Sequence, residues 1–267
     1  MAKVPAKVAQ RIASGLKKFQ PILQAAKTRD VNESDTVVLV ADVLQEVFGY
    51  DKYADITSEH MIRSTYCDLA LRIDGDLAVL IEVKAIGLEL KDQHVKQAVD
   101  YAANQGADWV ALTNGTTWRV YKVGFSKPIT NELVVEFDLL AVNPRNECDV
   151  ETLSLFARDS WQKARLGEYH SRKQALSRFY LGAVIIGDAV LEVIRRELKR
   201  INPEVRVDLE ELRSVLEQEV LKRDVLEGEK ADAARRAVAR SANKALRSSG
   251  DKEALGEAPP SPKGEEV

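Results

Sequence analysis

The sequence predicts a mixed α/β domain followed by a helical C-terminal extension and a disordered tail. Three observations carry that expectation. Residues 30–142 alternate between helical and strand periodicities, residues 151–226 are helical throughout with an interruption at Asn202-Pro203, and from Gly228 the chain turns rich in Ala, Lys, Arg and Glu. The closing "GEAPPSPKGEEV" cannot bury enough apolar surface to offset its ordering entropy, so disorder is expected there. Ahead of the domain, residues 1–29 read as a basic amphipathic helix in which Pro21 should force a kink or a break. The expected divisions are therefore 1–29, 30–142, 151–226 and 227–267, in a chain of 267 residues that can bury a sizeable core.

Composition narrows the function classes. Hydrophobic residues make up 45% and charged residues 30%, and the net charge of −3 means that any nucleic-acid binding must come from local patches. Two cysteines, Cys67 and Cys148, make no disulfide framework, which suits a reducing cytoplasm. The most apolar run, "FYLGAVIIGDAVL", is too short to span a bilayer and is interrupted by Asp188, so no membrane partner is expected. No glycine-rich GKS or GKT loop is present, which argues against ATP and a motor. His60, His94 and His170 are scattered, without companions at metal-ligand spacing.

Within 30–142 the first element is a helix over "NESDTVVLVADVLQEVFGYD". Asn32 can cap it, Glu33 and Asp35 suit its first turn, and Gly49 suits its stop. Its broad stripe of Val37, Val40, Val43, Leu44, Val47 and Phe48 is that of a helix packed on a sheet. On this pattern alone Glu33 is a partner of the helix dipole.

"TYCDLALRIDGDLAVLIEVKA" reads as a hairpin around Asp74-Gly75. A two-residue loop sets Ile73 against Asp76 and mixes apolar with polar positions. A three-residue loop pairs Ile73 with Leu77, Leu71 with Val79, Leu69 with Ile81 and Cys67 with Val83, giving one fully apolar face. Packing therefore selects the second register. The opposite face then holds Asp68 across from Glu82, with Lys84 beside them and Arg72 toward the turn. Two facing carboxylates repel each other, and a divalent cation such as Mg²⁺ removes that cost. The competing reading is a half-solvated sheet face whose charges are merely exposed.

"KDQHVKQAVDYAANQGA" follows as a helix burying Val95, Ala98, Val99 and Ala102, with Gln97 and Tyr101 four apart on a neighbouring face. "DWVALTNG" and "TTWRVYKV" read as two further strands joined at Asn114-Gly115. Trp109, Trp118 and Trp161 are assigned to the core.

The set Asp68, Glu82-Val83-Lys84 and Gln97-x-x-x-Tyr101, preceded by the helix carrying Glu33, resembles the PD-(D/E)xK nuclease superfamily. It is similar to the N-terminal nuclease domain of type I restriction enzyme R subunits, in a short stand-alone form without the motor. The matching stretches are "VNESDT", "LQEVFGYD", "IEVKA", "QAVDYA" and "ALTNG". The resemblance implies a restriction-endonuclease-like mixed sheet flanked by helices, and a metal-dependent DNA endonuclease acting in restriction, phage defence or DNA processing. It implies that Asp68 and Glu82 ligate Mg²⁺ or Mn²⁺, that Lys84 assists the attacking water, and that Glu33 adds a carboxylate. Gln97 and Tyr101 would contact the DNA backbone or support the metal site. The proline of the family name is replaced by Cys67, expected to be small and buried. A reading from a different class keeps the nuclease fold but makes it a catalytically silent module that binds nucleic acid or a partner.

In the extension, "IRRELKRINPEVR" brings Arg195, Arg196, Lys199, Arg200 and Arg206 close together, able to neutralise DNA phosphates. A solvated face with Glu192, Glu197 and Glu204 interleaved explains the pattern equally well. Leu209, Leu212, Leu216 and Val220 fall near heptad spacing, which fits packing on the preceding helix or the interface of a homodimer or partner protein.

Overall fold

The computed structural model describes residues 4–62, 65–125, 128–161, 164–204 and 206–254. The chain divides into two compact units, Met1–His170 and Ser171–Val267.

The first unit starts with α1 (Ala6–Thr28) and α2 (Glu33–Glu46). Strands β1 (Ile56–Ile62), β2 (Thr65–Ile73) and β3 (Asp76–Val83) follow, then α3 (Asp92–Gln105). Strands β4 (Trp109–Thr113), β5 (Thr117–Gly124) and β6 (Thr130–Asp138) complete the sheet, followed by α4 (Glu147–Ser154) and α5 (Arg158–Trp161). The six strands lie in sequence order, and the β3–β4 pair, bridged by α3, is parallel while the others are antiparallel. This is the mixed sheet flanked by helices that the sequence predicts. The edge strands β1 and β6 have mixed polar and apolar sequences, "ITSEHMI" and "TNELVVEFD", and were not foreseen individually.

Both faces of the sheet are covered. Leu69, Leu71, Val79, Ile81 and Val83 pack in a core with α1, α2 and Trp118, whereas Ala70, Leu80 and Leu112 pack with Val95, Ala98 and Val99 of α3. A strand buried on both sides reads as a near-continuous apolar run, as "LAVLIEV" does.

Helix α2 follows its caps. Asn32 Oδ1 accepts the Asp35 N–H at 2.9 Å, the helix ends at Glu46, and Gly49 sits at φ 80° just beyond. Helix α1 departs from expectation in two ways. It runs unbroken through Pro21, and it buries Val8, Ile12, Leu16, Phe19 and Leu23 in the main core rather than standing apart. Pro21 removes only the partner of the Lys17 carbonyl, and both residues face solvent, where water can replace that bond.

The second unit contains α7 (Arg178–Ile185), α8 (Asp188–Ile201), α9 (Leu209–Val215), a π-helical turn Leu216–Val220, α10 (Arg223–Leu226) and α11 (Glu229–Ala254); α6 (Arg165–Ala175) carries the boundary. Helix α11 corrects the expectation of a disordered tail beginning at 227. Its alanine-rich sequence favours helix, and Ala231 and Ala234 are buried where it packs with α7. The terminal "GEAPPSPKGEEV" lies outside the described residues. The leucine spacing at 209–220 does not form one continuous seam. The π-helical turn changes the angular spacing after Val215, Leu212 is buried, and Val220 is exposed. Among the described residues no helix is long and apolar enough to cross a membrane.

Candidate active site

The β2–β3 ladder sets the site. Leu69 pairs with Ile81 and Leu71 with Val79, the register selected by the apolar pattern. The turn itself differs, because Arg72 pairs with Leu77 and Ile73 with Asp76. A β-bulge leaves Ala78 as the extra residue and reconciles the two registers. Asp74 and Gly75 then form a two-residue turn with φ of 53° and 94°, the positive values that such a hairpin needs. Local turn chemistry and core packing are both satisfied at the cost of one bulge.

Continued past Leu69, the register brings Asp68 to Glu82. The Val83 N–H donates to Asp68 Oδ2 at 2.7 Å, so this carboxylate takes over a strand-pairing bond and is held against β3. Glu82 is only 6% exposed, and a buried carboxylate needs a partner. Lys84 supplies it, with Nζ 2.7 Å from Glu82 Oε1. The same ammonium lies 3.5 Å from Glu33 Oε2 at the start of α2. These charges are gathered rather than merely exposed, with Glu82 enclosed, Asp68 and Lys84 partly buried and Glu33 half exposed at the rim.

The electrostatics follow from that enclosure. Burial pushes the Asp68 carboxyl above its ordinary value; the Val83 N–H and Lys84 oppose the shift and Glu33 adds to it. Burial likewise raises Glu82, with the Lys84 hydrogen bond opposing and the Asp68 charge adding. For Lys84, burial alone would lower the ammonium. The hydrogen bond and charge of Glu82, with Glu33 and Asp68, outweigh burial and hold it above its ordinary value. Three carboxylates thus surround one lysine, and the cluster carries excess negative charge.

Asp68 Oδ2 and Glu82 Oε1 carry the side-chain bonds to Val83 and Lys84, and among the described residues Glu82 Oε2 has no hydrogen-bond partner. Among the described residues no group of three or more His, Cys, Asp or Glu is gathered to hold a metal. The donor set therefore fits a cation that needs one or two carboxylates and completes its shell with water and substrate phosphate, as Mg²⁺ does. Glu33 supplies negative charge beside Lys84.

Other predicted residues divide. Tyr101 is buried on the α3 side, and burial raises its hydroxyl, with the neighbouring Cys67 adding and Arg72 opposing. Gln97 lies on the exposed side of the same helix. Cys67 is buried as expected, but with the α3 cluster rather than with Leu69 and Leu71; its thiol donates to the Ile81 carbonyl at 3.0 Å and is pushed up to about 12 by burial. His94 Nδ1 accepts the Lys91 N–H at the start of α3, a capping role. In the second unit, Arg195 and Arg200 are paired with Glu192 and Glu197, as the solvated-helix reading had it for these two.

One supporting group was missed. The segment leaving β3 is pinned by the β4–β5 turn: Thr113 O accepts the Lys84 N–H at 2.8 Å, Asn114 Nδ2 donates to Leu88 O at 2.9 Å, and Arg119 Nη1 donates to Leu90 O at 2.9 Å. Asn114 Oδ1 also accepts the Thr116 and Thr117 N–H groups. The signal was present in "LTNGTT", a polar stretch too rich in hydrogen-bonding groups to be only a turn, but its partners lie 26 and more residues away.

No curated protein and no solved structure matches the chain. Residues 38–135, from the second turn of α2 into β6, match the family model for the type I restriction enzyme R protein N terminus, and over that span the chain resembles that N-terminal domain.

Proposed function

We propose that the first unit is a metal-dependent DNA endonuclease that hydrolyses phosphodiester bonds using Asp68, Glu82 and Lys84. One observation carries the proposal: a partly buried lysine bonded to a buried glutamate, with a second carboxylate fixed beside them by the Val83 N–H. A structural core gains nothing from this arrangement, since both acids are raised by burial and repel each other. The family match supports a nuclease-like, restriction-related role.

In this reading Asp68 and Glu82 hold Mg²⁺ or Mn²⁺, which when bound supplies Lewis-acid stabilisation of a phosphoryl oxygen. Lys84 orients the attacking water and offsets charge developing on phosphorus-bound oxygen. Its ammonium is held charged by the surrounding acids, so it acts by donating hydrogen bonds to water and phosphate oxygen rather than by accepting a proton. Glu33 tunes the lysine from α2. Tyr101 supports Cys67, and through it Asp68, from beneath. Restriction or phage defence is the setting that the resemblance favours.

The test is cleavage of plasmid and single-stranded DNA with Mg²⁺ or Mn²⁺, comparing the native chain with Glu82→Ala and Lys84→Ala. Metal-dependent cutting lost in both variants is expected. Equal cutting by the variants, or none by the native chain on any substrate, overturns the proposal. A silent nuclease-fold module is the second reading, favoured by the lack of a three-carboxylate cluster among the described residues. Titration calorimetry with Mn²⁺ separates a silent metal site from no site.

A further inference from the structure

In the second unit, α8 and the chain beyond it enclose an open groove of about 1070 Å³. Arg196, Lys199 and Arg206 line it, with Val193, Pro203 and Val207 among them. Three acids share the lining, and one of them is charge-paired. Glu192 is held by Arg195 at 2.6 Å, and Asp208 accepts the Glu211 N–H at 2.7 Å as the N-cap of α9. Among the described residues Arg196, Lys199 and Arg206 enter no ion pair, and neither do Asp208 and Glu211, so three exposed cations face two carboxylates and the groove keeps a positive balance.

The arrangement points to a particular chemistry. Arg196 and Lys199 stand one turn apart on α8 and so share a face, and Arg206 joins them from beyond Pro203. No aromatic side chain lines the groove, so it offers no platform for base stacking. A run of negative charges suits these cations, as the phosphates of a nucleic-acid backbone provide.

We propose that this groove binds the phosphate backbone of DNA without regard to sequence, as a second contact surface apart from the carboxylate site. The choice of DNA among polyanions rests on the nuclease reading; the charge of the groove does not. The cations responsible are Arg196, Lys199 and Arg206, and Arg195 and Arg200 are excluded by their glutamate partners.

The test uses the full chain in EDTA, where metal-dependent cutting cannot occur. Binding of a labelled DNA duplex is followed by fluorescence anisotropy between about 50 and 200 mM salt. Replacing all three cations (Arg196→Gln, Lys199→Gln and Arg206→Gln) removes three phosphate contacts, so the slope of log K against log salt should fall by about 2 to 3. Arg200→Gln, on the same helix but paired with Glu197, should leave the slope unchanged. All four side chains are exposed, and an unaltered melting temperature verifies the fold of each variant. An unchanged slope in the triple variant overturns the proposal, as does no DNA binding by the native chain at low salt. Displacement of the duplex by polyglutamate of matched charge also overturns it, in favour of an acidic protein partner. Loss of cleavage without loss of this slope removes the nuclease reading alone.

Discussion

Replacing Lys84 by methionine isolates the electrostatics of the candidate site. The substitution keeps the length of the side chain and removes its charge. In the native chain the side chains of Lys84 and Glu82 are 18% and 8% exposed, so solvent screens the pair only weakly. Removing one partner of a buried pair costs about 3–5 kcal/mol, because the other charge is left uncompensated. The lower end applies, since Glu82 can escape by taking up a proton, a step that burial already favours. A loss of about 3 kcal/mol in a domain of this size lowers the melting temperature by about 6–12 °C. The sign with pH follows from the same group. Without Lys84, the folded-state pKa of Glu82 lies still further above its unfolded value, so stability is present at low pH and is lost as pH rises through the folded value. The defect should therefore be large in mildly alkaline buffer and small in acid. Thermal melts in EDTA at both pH values measure it. Adding Glu82→Gln to Lys84→Met removes the orphaned charge and should restore most of the loss. A Lys84→Met chain that melts with the native one in alkaline buffer, or a double variant no more stable than the single, refutes the burial argument.

Three further outcomes are expected. Saturating Mn²⁺ at about a hundred times its dissociation constant should stabilise the native chain by about 2.7 kcal/mol, and Glu82→Gln should largely abolish the shift in a thermal melt. Asn114→Asp replaces the donor to Leu88 O by an oxygen while keeping the acceptor for the Thr116 and Thr117 N–H groups. It should cost about 1–3 kcal/mol by denaturant titration and reduce cleavage along with it. Gly115→Ala forces a side chain onto φ 85° in the same turn, and a loss of about 1–2 kcal/mol is expected by the same measurement.

The apolar alternation of β2 and β3 was enough to fix the pairing of Leu69 with Ile81, because a one-residue slip would turn the whole buried set over. From that register the meeting of Asp68, Glu82 and Lys84 follows, which is why the centre of the site was legible. The bulge was not legible, because turn and core chemistry favoured different registers and only a three-dimensional compromise satisfies both. Cys67 misled for a related reason: strict alternation sends it toward Leu69, while the structure buries it with α3 beside Tyr101. Edge strands β1 and β6 pair with their chain neighbours but carry mixed polar and apolar sequences without a clean alternation, and the Asn114 clamp depends on partners distant in the chain, which local periodicity does not encode. The run of arginines on α8 had two equal readings in sequence, and side-chain pairing divides them: Arg195 and Arg200 are paired with glutamates, and among the described residues Arg196 and Lys199 enter no ion pair.

The stability of the site bears on its function. Asp68 and Glu82 are both raised by burial, so at neutral pH each folded chain holds negative charge that an unfolded chain would hold more easily. The fold could avoid this cost with apolar residues at either position, as it does at Leu69, Ala70, Leu80 and Ile81 around them. Lys84 offsets part of the charge and Glu33 adds more, so the cluster remains short of positive charge by its own composition. A cluster with that deficit is unfavourable as a structural element and favourable as a receiver of a divalent cation. On the proposed reading the same deficit repels phosphate until a cation is bound, so the carboxylate site by itself would hold DNA weakly. The proposed reading therefore calls for a second, positively charged surface on the chain, and the groove lined by Arg196, Lys199 and Arg206 has the charge to provide it.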